Sequence, residues 1–191
     1  MVALMALLGL VCGRAIRALA DSYQDGVPSW PPTLEVLTAA VAALVAWRVG
    51  TPFVCFAVIG VALAVIDWRT RTLPDAITLP AYPITALALL PTGELSRALA
   101  GGAVLAAVYG VLWFARPDAM GFGDVKLAGL IGMAGGALGW QALVVAAFAG
   151  QLLGAFYALA LLLTRRGNRH TQFPFGPFML LGAFATLCLA R

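Results

Sequence analysis

Residues 127–164, LAGLIGMAGGALGWQALVVAAFAGQLLGAFYALALLLT, contain no charged side chain. A transmembrane helix needs roughly 20 apolar residues to cross about 30 Å of hydrocarbon. The run is therefore long enough for two spans that fold back on each other. Its centre, GGALGWQ (residues 135–141), predicts the bend, because it combines glycines with a tryptophan suited to the membrane interface. This stretch indicates a helical membrane protein.

Further uncharged runs cover residues 52–66, 98–115 and 171–190, in a chain that is 62% hydrophobic and only 10% charged. Such a composition lies outside the usual range of soluble domains. We predict an all-α fold, a polytopic transmembrane helical bundle that forms a single domain over residues 1–191. The eight predicted spans are 2–20, 33–49, 52–67, 76–92, 97–115, 124–140, 142–164 and 173–190, and a short cytoplasmic loop covers 21–32.

The basic residues predict how this bundle sits in the membrane. Arg14 and Arg17 follow the first apolar run, whereas a secretory signal carries its positive charges before that run, so we expect a retained first span with its N-terminus outside. Eight spans leave only Arg48, Arg97 and Arg191 on the outer side. The other nine basic residues fall on the opposite side, which the positive-inside rule makes cytoplasmic. We attribute the net charge of +4 to topology and expect no nucleic-acid partner.

Cys12, Cys55 and Cys188 are isolated, and each falls within an apolar span. Without a C-x-x-C pair, the sequence predicts neither a thiolate metal site nor a disulfide framework. We therefore predict no metal and no cofactor.

Ionisable residues inside a membrane are costly and often functional. Asp67 ends the apolar run AVIGVALAVID (residues 57–67), and Asp124 begins another run directly after GFG. The segment between them is long enough for one helix that leaves the cytoplasmic side and one that returns to it. Both aspartates are therefore expected on the cytoplasmic side at similar depth. Four other acids fall in predicted loops and are expected to be solvated, namely Asp21, Asp25, Glu94 and Asp118, while Glu35 is placed to complement a helix N-terminus.

Two carboxylates held close together cannot easily both ionise, so one keeps a proton. Such a pair supplies an acid and a base, which is what the activation of water against a peptide carbonyl requires. Gly121 and Gly123 leave room beside Asp124 for an extended peptide. The alternative is that Asp67 and Asp124 are ordinary helix ends at the interface.

The motif GFGDVKL (residues 121–127) resembles the G-x-G-D signature of membrane aspartyl proteases, in particular the type IV prepilin peptidases. IDWRTRTLPDAITLP (66–80) resembles the first aspartate motif of that family, and PFGPFMLLG (174–182) resembles its motif in the last span. WPPTLEVLTAAVAALVAWRVG (30–50) and, more weakly, GLVCGRAIRAL (9–19) are also similar to family segments. The resemblance covers nearly the whole chain in order.

The resemblance implies a protease that cuts the basic leader from prepilins or pseudopilins at the cytoplasmic face of the bacterial membrane, with two aspartates and no metal. It implies a pilus or type II secretion assembly as an indirect partner. Carried over by position, the catalytic pair is Asp67 and Asp124. Asp75, in LPD, is the alternative to Asp67, but we expect it to cap the next helix.

Several neighbours of this pair are expected to bind substrate. Lys126 either pairs with an aspartate or a substrate carboxylate, or extends to the lipid headgroups. The prolines of the last motif either hold substrate backbone near the aspartates, as in other G-x-G-D proteases, or form a simple loop. The full set of predicted binding residues is Gly121, Gly123, Lys126, Asp75, Pro174, Gly176 and Pro177.

The chain departs from the larger, bifunctional members of that family in one respect. Those members carry a cytosolic tetracysteine domain between the first two spans and also methylate the new N-terminus, whereas only residues 21–32 stand in that place here. We therefore expect a compact peptidase without methyltransferase activity. The competing hypotheses are a presenilin-type or signal-peptide-peptidase-type intramembrane protease, a transporter that uses Asp67 and Asp124 as proton or cation sites, and an inactive assembly scaffold.

Overall fold

The computed structural model describes residues 1–22, 33–117, 120–164 and 173–189. These residues form α-helices and no strand, which confirms the predicted all-α class. The helices are α1 (Val2–Ser22), α2 (Thr33–Arg48), α3 (Val54–Thr70), α4 (Asp75–Leu89), α5 (Leu95–Ala115), α6 (Phe122–Leu138), α7 (Trp140–Leu163) and α8 (Gly176–Leu189). Short 3₁₀ turns precede α3, at Thr51–Phe53, and follow α4, at Leu90–Thr92.

The helices follow the apolar runs closely, because each run ends where charged, proline or glycine residues begin. Among the described residues, four helices are long and apolar enough to cross a membrane: α1, α3 with its preceding turn, α5 and α7. The other helices are shorter, from 14 to 17 residues. The predicted bend is confirmed at Gly139, whose φ of 130° separates α6 from α7.

Glycines bring neighbouring helices into backbone contact. A Cβ added at Gly101 of α5 would lie 2.5 Å from the carbonyl oxygen of Gly132 in α6. In the same way, a Cβ at Gly182 of α8 would lie 2.3 Å from the backbone nitrogen of Gly150 in α7. Membrane helices associate largely through such close packing, because lipid offers no hydrophobic drive between them. These glycines therefore fix the α5–α6 and α7–α8 pairs.

Helices α3 and α6 lie at the centre of the bundle. Phe56, Leu63 and Ile66 of α3 are fully buried, as are Leu127 and Leu130 of α6. Apolar side chains of α1, α5 and α7 instead remain largely exposed on the outer faces, as expected for surfaces in contact with lipid. The two enclosed helices are the ones that carry the predicted catalytic aspartates.

Ion pairs tie the N-terminal helices to this centre. Arg69 at the end of α3 donates to Asp21 Oδ1 at 2.8 Å, and the Arg69 side chain is only 5% exposed. The prediction that Asp21 is a solvated loop residue is therefore wrong: the residue lies in α1 and neutralises a buried guanidinium. Glu35, in the first turn of α2 as predicted, accepts a hydrogen bond from Arg17. Asp25 and Asp118 lie outside the described residues, as does most of the predicted loop 21–32.

Candidate active site

A cavity of about 1390 Å³ opens at the end of the bundle where α3 and α5 finish and where α4, α6 and α8 begin. Asp67 and Asp124 both line it. The other polar or charged residues that line it are Arg71, Thr72, Asp75, Arg116, Lys126 and Gln151. The sequence prediction that helices from two distant segments return to one place is confirmed by this geometry.

Asp67 lies in the last turn of α3. Its side chain is buried, and its Oδ2 accepts a hydrogen bond of 3.0 Å from the backbone N–H of Gly176. The helix ends three residues later at Thr70, and its C-cap, Arg71, adopts a left-handed φ of 54° and donates its N–H to the Asp67 carbonyl at 2.8 Å. A left-handed residue other than glycine is uncommon and stops the helix here. The turn therefore sets where the carboxylate sits.

Gly176 is the first residue of α8, where backbone N–H groups have no partner within the helix. Asp67 accepts a hydrogen bond from one of these N–H groups, so a carboxylate from α3 lies at the N-terminus of α8. A Cβ at Gly176 would lie 2.8 Å from Asp67 Oδ2, closer than real contacts allow. The hydrogen bond therefore depends on glycine at this position.

Asp124 stands in the first turn of α6 and is partly buried. Its backbone N–H donates to the Gly121 carbonyl at 3.1 Å, which closes the turn that begins the helix. Its carboxylate is close enough to Asp67 for the two charges to interact. Gly121 is extended and exposed beside it, and a Cβ at Gly123 would lie 3.0 Å from Leu73 Cβ. The two glycines thus leave the space beside Asp124 free of side chains of their own.

Asp75 and Lys126 face each other across the cavity mouth, with Lys126 Nζ 2.5 Å from Asp75 Oδ1. The predicted cap role of Asp75 is wrong: the N-cap of α4 is Pro74, no side chain caps the helix there, and Asp75 is its first residue. Of the alternatives for Lys126, the structure shows the pair with an aspartate. The ammonium also lies over the Phe122 ring, 5.0 Å from its centre.

The last motif divides into two parts around the start of α8. Pro174 lines the cavity together with its neighbours Phe173 and Phe175, in a non-helical segment. Pro177 is buried in the first turn of α8, and Gly176 reaches the cavity through its bond to Asp67. The structure therefore gathers most of the predicted site residues around one cavity, with Pro177 set behind it.

The sequence reasoning missed three polar side chains near the aspartates. Tyr82 of α4 donates to the Lys126 carbonyl at 2.6 Å and so attaches α4 to the start of α6. Gln151 of α7 lines the cavity and donates to the Tyr109 hydroxyl of α5 at 3.2 Å. The sequence did contain a signal for them, because each is an uncharged polar side chain inside an apolar span. Such a side chain needs a hydrogen-bond partner within the protein when lipid surrounds the helix.

The arrangement is suited to acid–base chemistry on a molecule that enters the cavity. Asp67 and Asp124 present two interacting carboxylates to a cavity large enough for water and an extended segment of peptide. One protonated and one ionised carboxylate can act as acid and base on the same bond. Within the described part of the chain, no group of three or more His, Cys, Asp or Glu residues is placed to hold a metal ion.

Comparisons with known proteins agree with the motifs. The chain is 33% identical over 187 residues to a prepilin leader peptidase/N-methyltransferase of Aeromonas hydrophila, which covers 90% of this chain and 62% of the relative. It is 31% identical over 173 residues to one of Escherichia coli strain K12, covering 87% and 75%. For one of Pseudomonas aeruginosa the identity is 29% over 193 residues, covering 93% and 64%.

The chain thus spans less than two thirds of the length of the Aeromonas and Pseudomonas relatives. No solved structure matches it significantly. Residues 53–159, from the turn before α3 to near the end of α7, match the type IV leader peptidase family. This segment contains both aspartates of the cavity. The chain belongs to the type IV leader peptidase family.

Proposed function

We propose that the protein is a membrane aspartyl endopeptidase that removes the leader peptide of type IV prepilins or pseudopilins. The observation that carries this proposal is the meeting of Asp67 and Asp124, from the two most enclosed helices, in one open cavity. Family membership and the names of the relatives support the choice of substrate. In this proposal the protein is a multi-pass protein of the bacterial cytoplasmic membrane, with its cavity on the cytoplasmic side.

In the proposed reaction, the ionised aspartate takes a proton from a water molecule as the water oxygen attacks the carbonyl carbon of the scissile peptide bond. The protonated aspartate gives its proton to the carbonyl oxygen, and a gem-diol forms. The gem-diol then collapses. The C–N bond breaks, the leaving nitrogen takes a proton from the first aspartate, and the second aspartate regains a proton from a gem-diol hydroxyl. Both carboxyls return to their starting states, and the proposed cycle uses only these two groups and water.

The roles of the two aspartates follow from their surroundings. Asp67 is buried and receives the Gly176 N–H, an interaction that favours a charged carboxylate. Asp124 lies at the glycine-lined opening, nearer to an arriving peptide. We therefore assign Asp67 as the base that activates water and Asp124 as the acid that protonates the carbonyl.

The substrate path is proposed from the residues around the pair. An extended leader junction would pass Gly121 and Gly123 on one side and the non-helical residues Phe173 and Pro174 on the other. The exposed backbone of such a segment is a partner for extended peptide. Lys126 and Asp75 stand at the mouth, where they would contact flanking charges of the substrate.

We further propose that this chain does not methylate the new N-terminus. The segment between α1 and α2 runs only from residue 23 to residue 32 and contains no cysteine. The bifunctional members that the sequence resembles place a tetracysteine domain there. Incubation of the protein with prepilin and S-adenosylmethionine should yield a cleaved product without the mass of an added methyl group.

The experiment that tests the proposal reconstitutes the purified protein in liposomes and adds a prepilin. The wild type should release a leader and a shortened pilin of matching masses, and Asp124→Asn should release neither. The same liposomes, loaded with a pH-sensitive dye, test the transporter hypothesis. Proton flux that is lost in Asp124→Asn, without cleavage by the wild type, would contradict the proposal.

A further inference from the structure

A tyrosine and a glutamine form an isolated polar pair beside the carboxylates. Tyr109 lies in the apolar helix α5, with only 2% of its surface exposed. Gln151 lies in α7 and donates its amide N–H to the Tyr109 hydroxyl at 3.2 Å. Gln151 also lines the cavity that contains Asp67 and Asp124, so the buried Tyr109 is connected to that cavity through Gln151.

Because Gln151 is the donor in this bond, the hydrogen of the Tyr109 hydroxyl is not used in it. A phenol is both a donor and an acceptor, and here its oxygen accepts from Gln151. Within the described residues, no side chain or carbonyl accepts the phenolic hydrogen. A buried donor without a partner is costly, and in the lipid region water does not supply one except through a cavity.

The group that fits this donor is the carboxylate of Asp124. The turn of α5 that carries Tyr109 packs against the first turn of α6, because a Cβ at Gly110 would lie 3.8 Å from Cγ1 of Val125, the neighbour of Asp124. The Asp124 carboxylate also acts electrostatically on the Tyr109 phenol. Gln151 holds the phenolic oxygen from the side of α7, which turns its hydrogen away from that helix. The remaining polar space is the cavity that Asp124 lines, where the proposed reaction would place its water.

We propose that Tyr109 is a positioning residue, which donates its phenolic hydrogen to Asp124 or to a water bound by Asp124, and that Gln151 fixes its orientation. This inference rests on the proposed peptidase function. The bond would hold the Asp124 carboxyl in one rotamer, so that its proton faces the scissile carbonyl. Since Tyr109 is buried behind the pair, it would affect the chemical step rather than the binding of prepilin.

The competing explanation is that the pair only fastens α5 to α7. Polar bonds between membrane helices often have such a role, at about 0.6 kcal/mol on average. Both explanations predict some loss of stability when the hydroxyl is removed. Only a positioning role predicts a loss in kcat from a protein that remains folded.

The test measures steady-state cleavage of prepilin in lipid by Tyr109→Phe, which removes the hydroxyl and keeps the ring. We expect kcat to fall about 10- to 100-fold, with KM within about twofold of the wild type. Tyr157→Phe is the matched control, because its hydroxyl makes no hydrogen bond within the described residues and does not line the cavity. It should retain wild-type kcat.

Gln151→Met provides a second variant of similar volume that removes the amide donor. Its kcat should fall less than that of Tyr109→Phe, because the hydroxyl remains. The double variant should be no slower than Tyr109→Phe alone, since residues that act as a unit are not additive. If Tyr109→Phe does not accumulate as folded protein, the kcat of Gln151→Met decides the question.

The outcomes separate this inference from the function on which it rests. Cleavage by the wild type but not by Asp124→Asn establishes the peptidase, whatever Tyr109 does. A Tyr109→Phe enzyme with kcat within twofold of the wild type then overturns the positioning role, as does an equal fall in Tyr157→Phe. Failure of the wild type to cleave overturns both proposals together.

Discussion

Asp67 accepts a hydrogen bond from the first backbone N–H of α8, and this contact depends on a single missing Cβ at Gly176. At this scale the sequence indicated candidate residues but not their contacts. The motif around Gly176 was recognised, yet nothing in its spacing indicates a bond to a residue more than a hundred positions earlier. Asp75 illustrates the opposite error, because a helix-start position suggested a cap where the structure shows an ion pair.

Replacement of Gly176 by alanine should uncouple Asp67 from α8. The new Cβ would lie 2.8 Å from Oδ2, so the carboxylate must move. Displacement by about 1 Å at a reacting group can lower the rate by ~100-fold, and we expect kcat for prepilin cleavage to fall at least ~10-fold. Gly110→Ala is the control, because its nearest new contact is an ordinary 3.8 Å. Equal activities of the two variants would argue against the role given to Gly176.

Replacement of Lys126 by methionine should have little effect on stability. The Asp75 side chain is 58% exposed, and pairs of that kind contribute at most ~1 kcal/mol. A change of that size shifts Tm by only ~2–4 °C in a chain of this length. Because both residues stand at the cavity mouth, we expect KM to rise several-fold and kcat to stay nearly constant. A collapse of kcat would mean that Lys126 takes part in the chemistry.

At the scale of the helices, the sequence predicted position and length well and predicted packing poorly. Apolar runs bounded by charges, prolines and glycines located each helix to within a few residues, and Gly139 marked the bend between α6 and α7. Which helices pair could not be predicted, because that depends on where the glycines face. Arg97 shows the same limit: its side chain donates to the Gly136 and Ala137 carbonyls and so caps α6 from α5.

A side chain at the α5–α6 contact should separate the helices. A Cβ at Gly101 would lie 2.5 Å from the Gly132 carbonyl oxygen, and backbone cannot yield as a flexible side chain does. We expect Gly101→Val to destabilise the protein by about 1–3 kcal/mol, as overpacking commonly does, and to lower cleavage because α6 carries Asp124. Thermal unfolding in detergent measures the effect. Gly110→Val, in the same helix, should unfold close to the wild type, and an equally unstable Gly110→Val would contradict this account.

For the whole molecule, the sequence predicted the class of protein, because that class follows from where apolar residues fall along the chain. The sidedness of the basic residues stays a prediction. The cavity could not be predicted, since it forms only where the ends of α3, α5 and the starts of α4, α6 and α8 converge. Tyr109 and Gln151 were missed for the same reason. A lone polar residue in an apolar span has no spacing pattern, and its partner lies on a distant helix.

The predicted orientation can be tested in intact cells. Starting from a protein with Cys12, Cys55 and Cys188 replaced by serine, we would introduce Thr72→Cys beside the cavity or Glu94→Cys between α4 and α5. With eight spans and an external N-terminus, a membrane-impermeant thiol reagent should label Glu94→Cys in whole cells. Thr72→Cys should be labelled only after the membrane is opened. The reverse pattern would place the cavity on the outer side and contradict the proposed location.

The central claim is that Asp67 and Asp124, rather than Asp75 and Asp124, form the catalytic pair. The most direct measurement compares the masses of the prepilin products formed by Asp67→Asn, Asp75→Asn and Asp124→Asn in lipid, each shown to be folded. The account predicts cleavage by Asp75→Asn, and none by Asp67→Asn or Asp124→Asn. Cleavage by Asp67→Asn, with loss of activity in Asp75→Asn, would contradict it and move the first catalytic carboxylate to the start of α4.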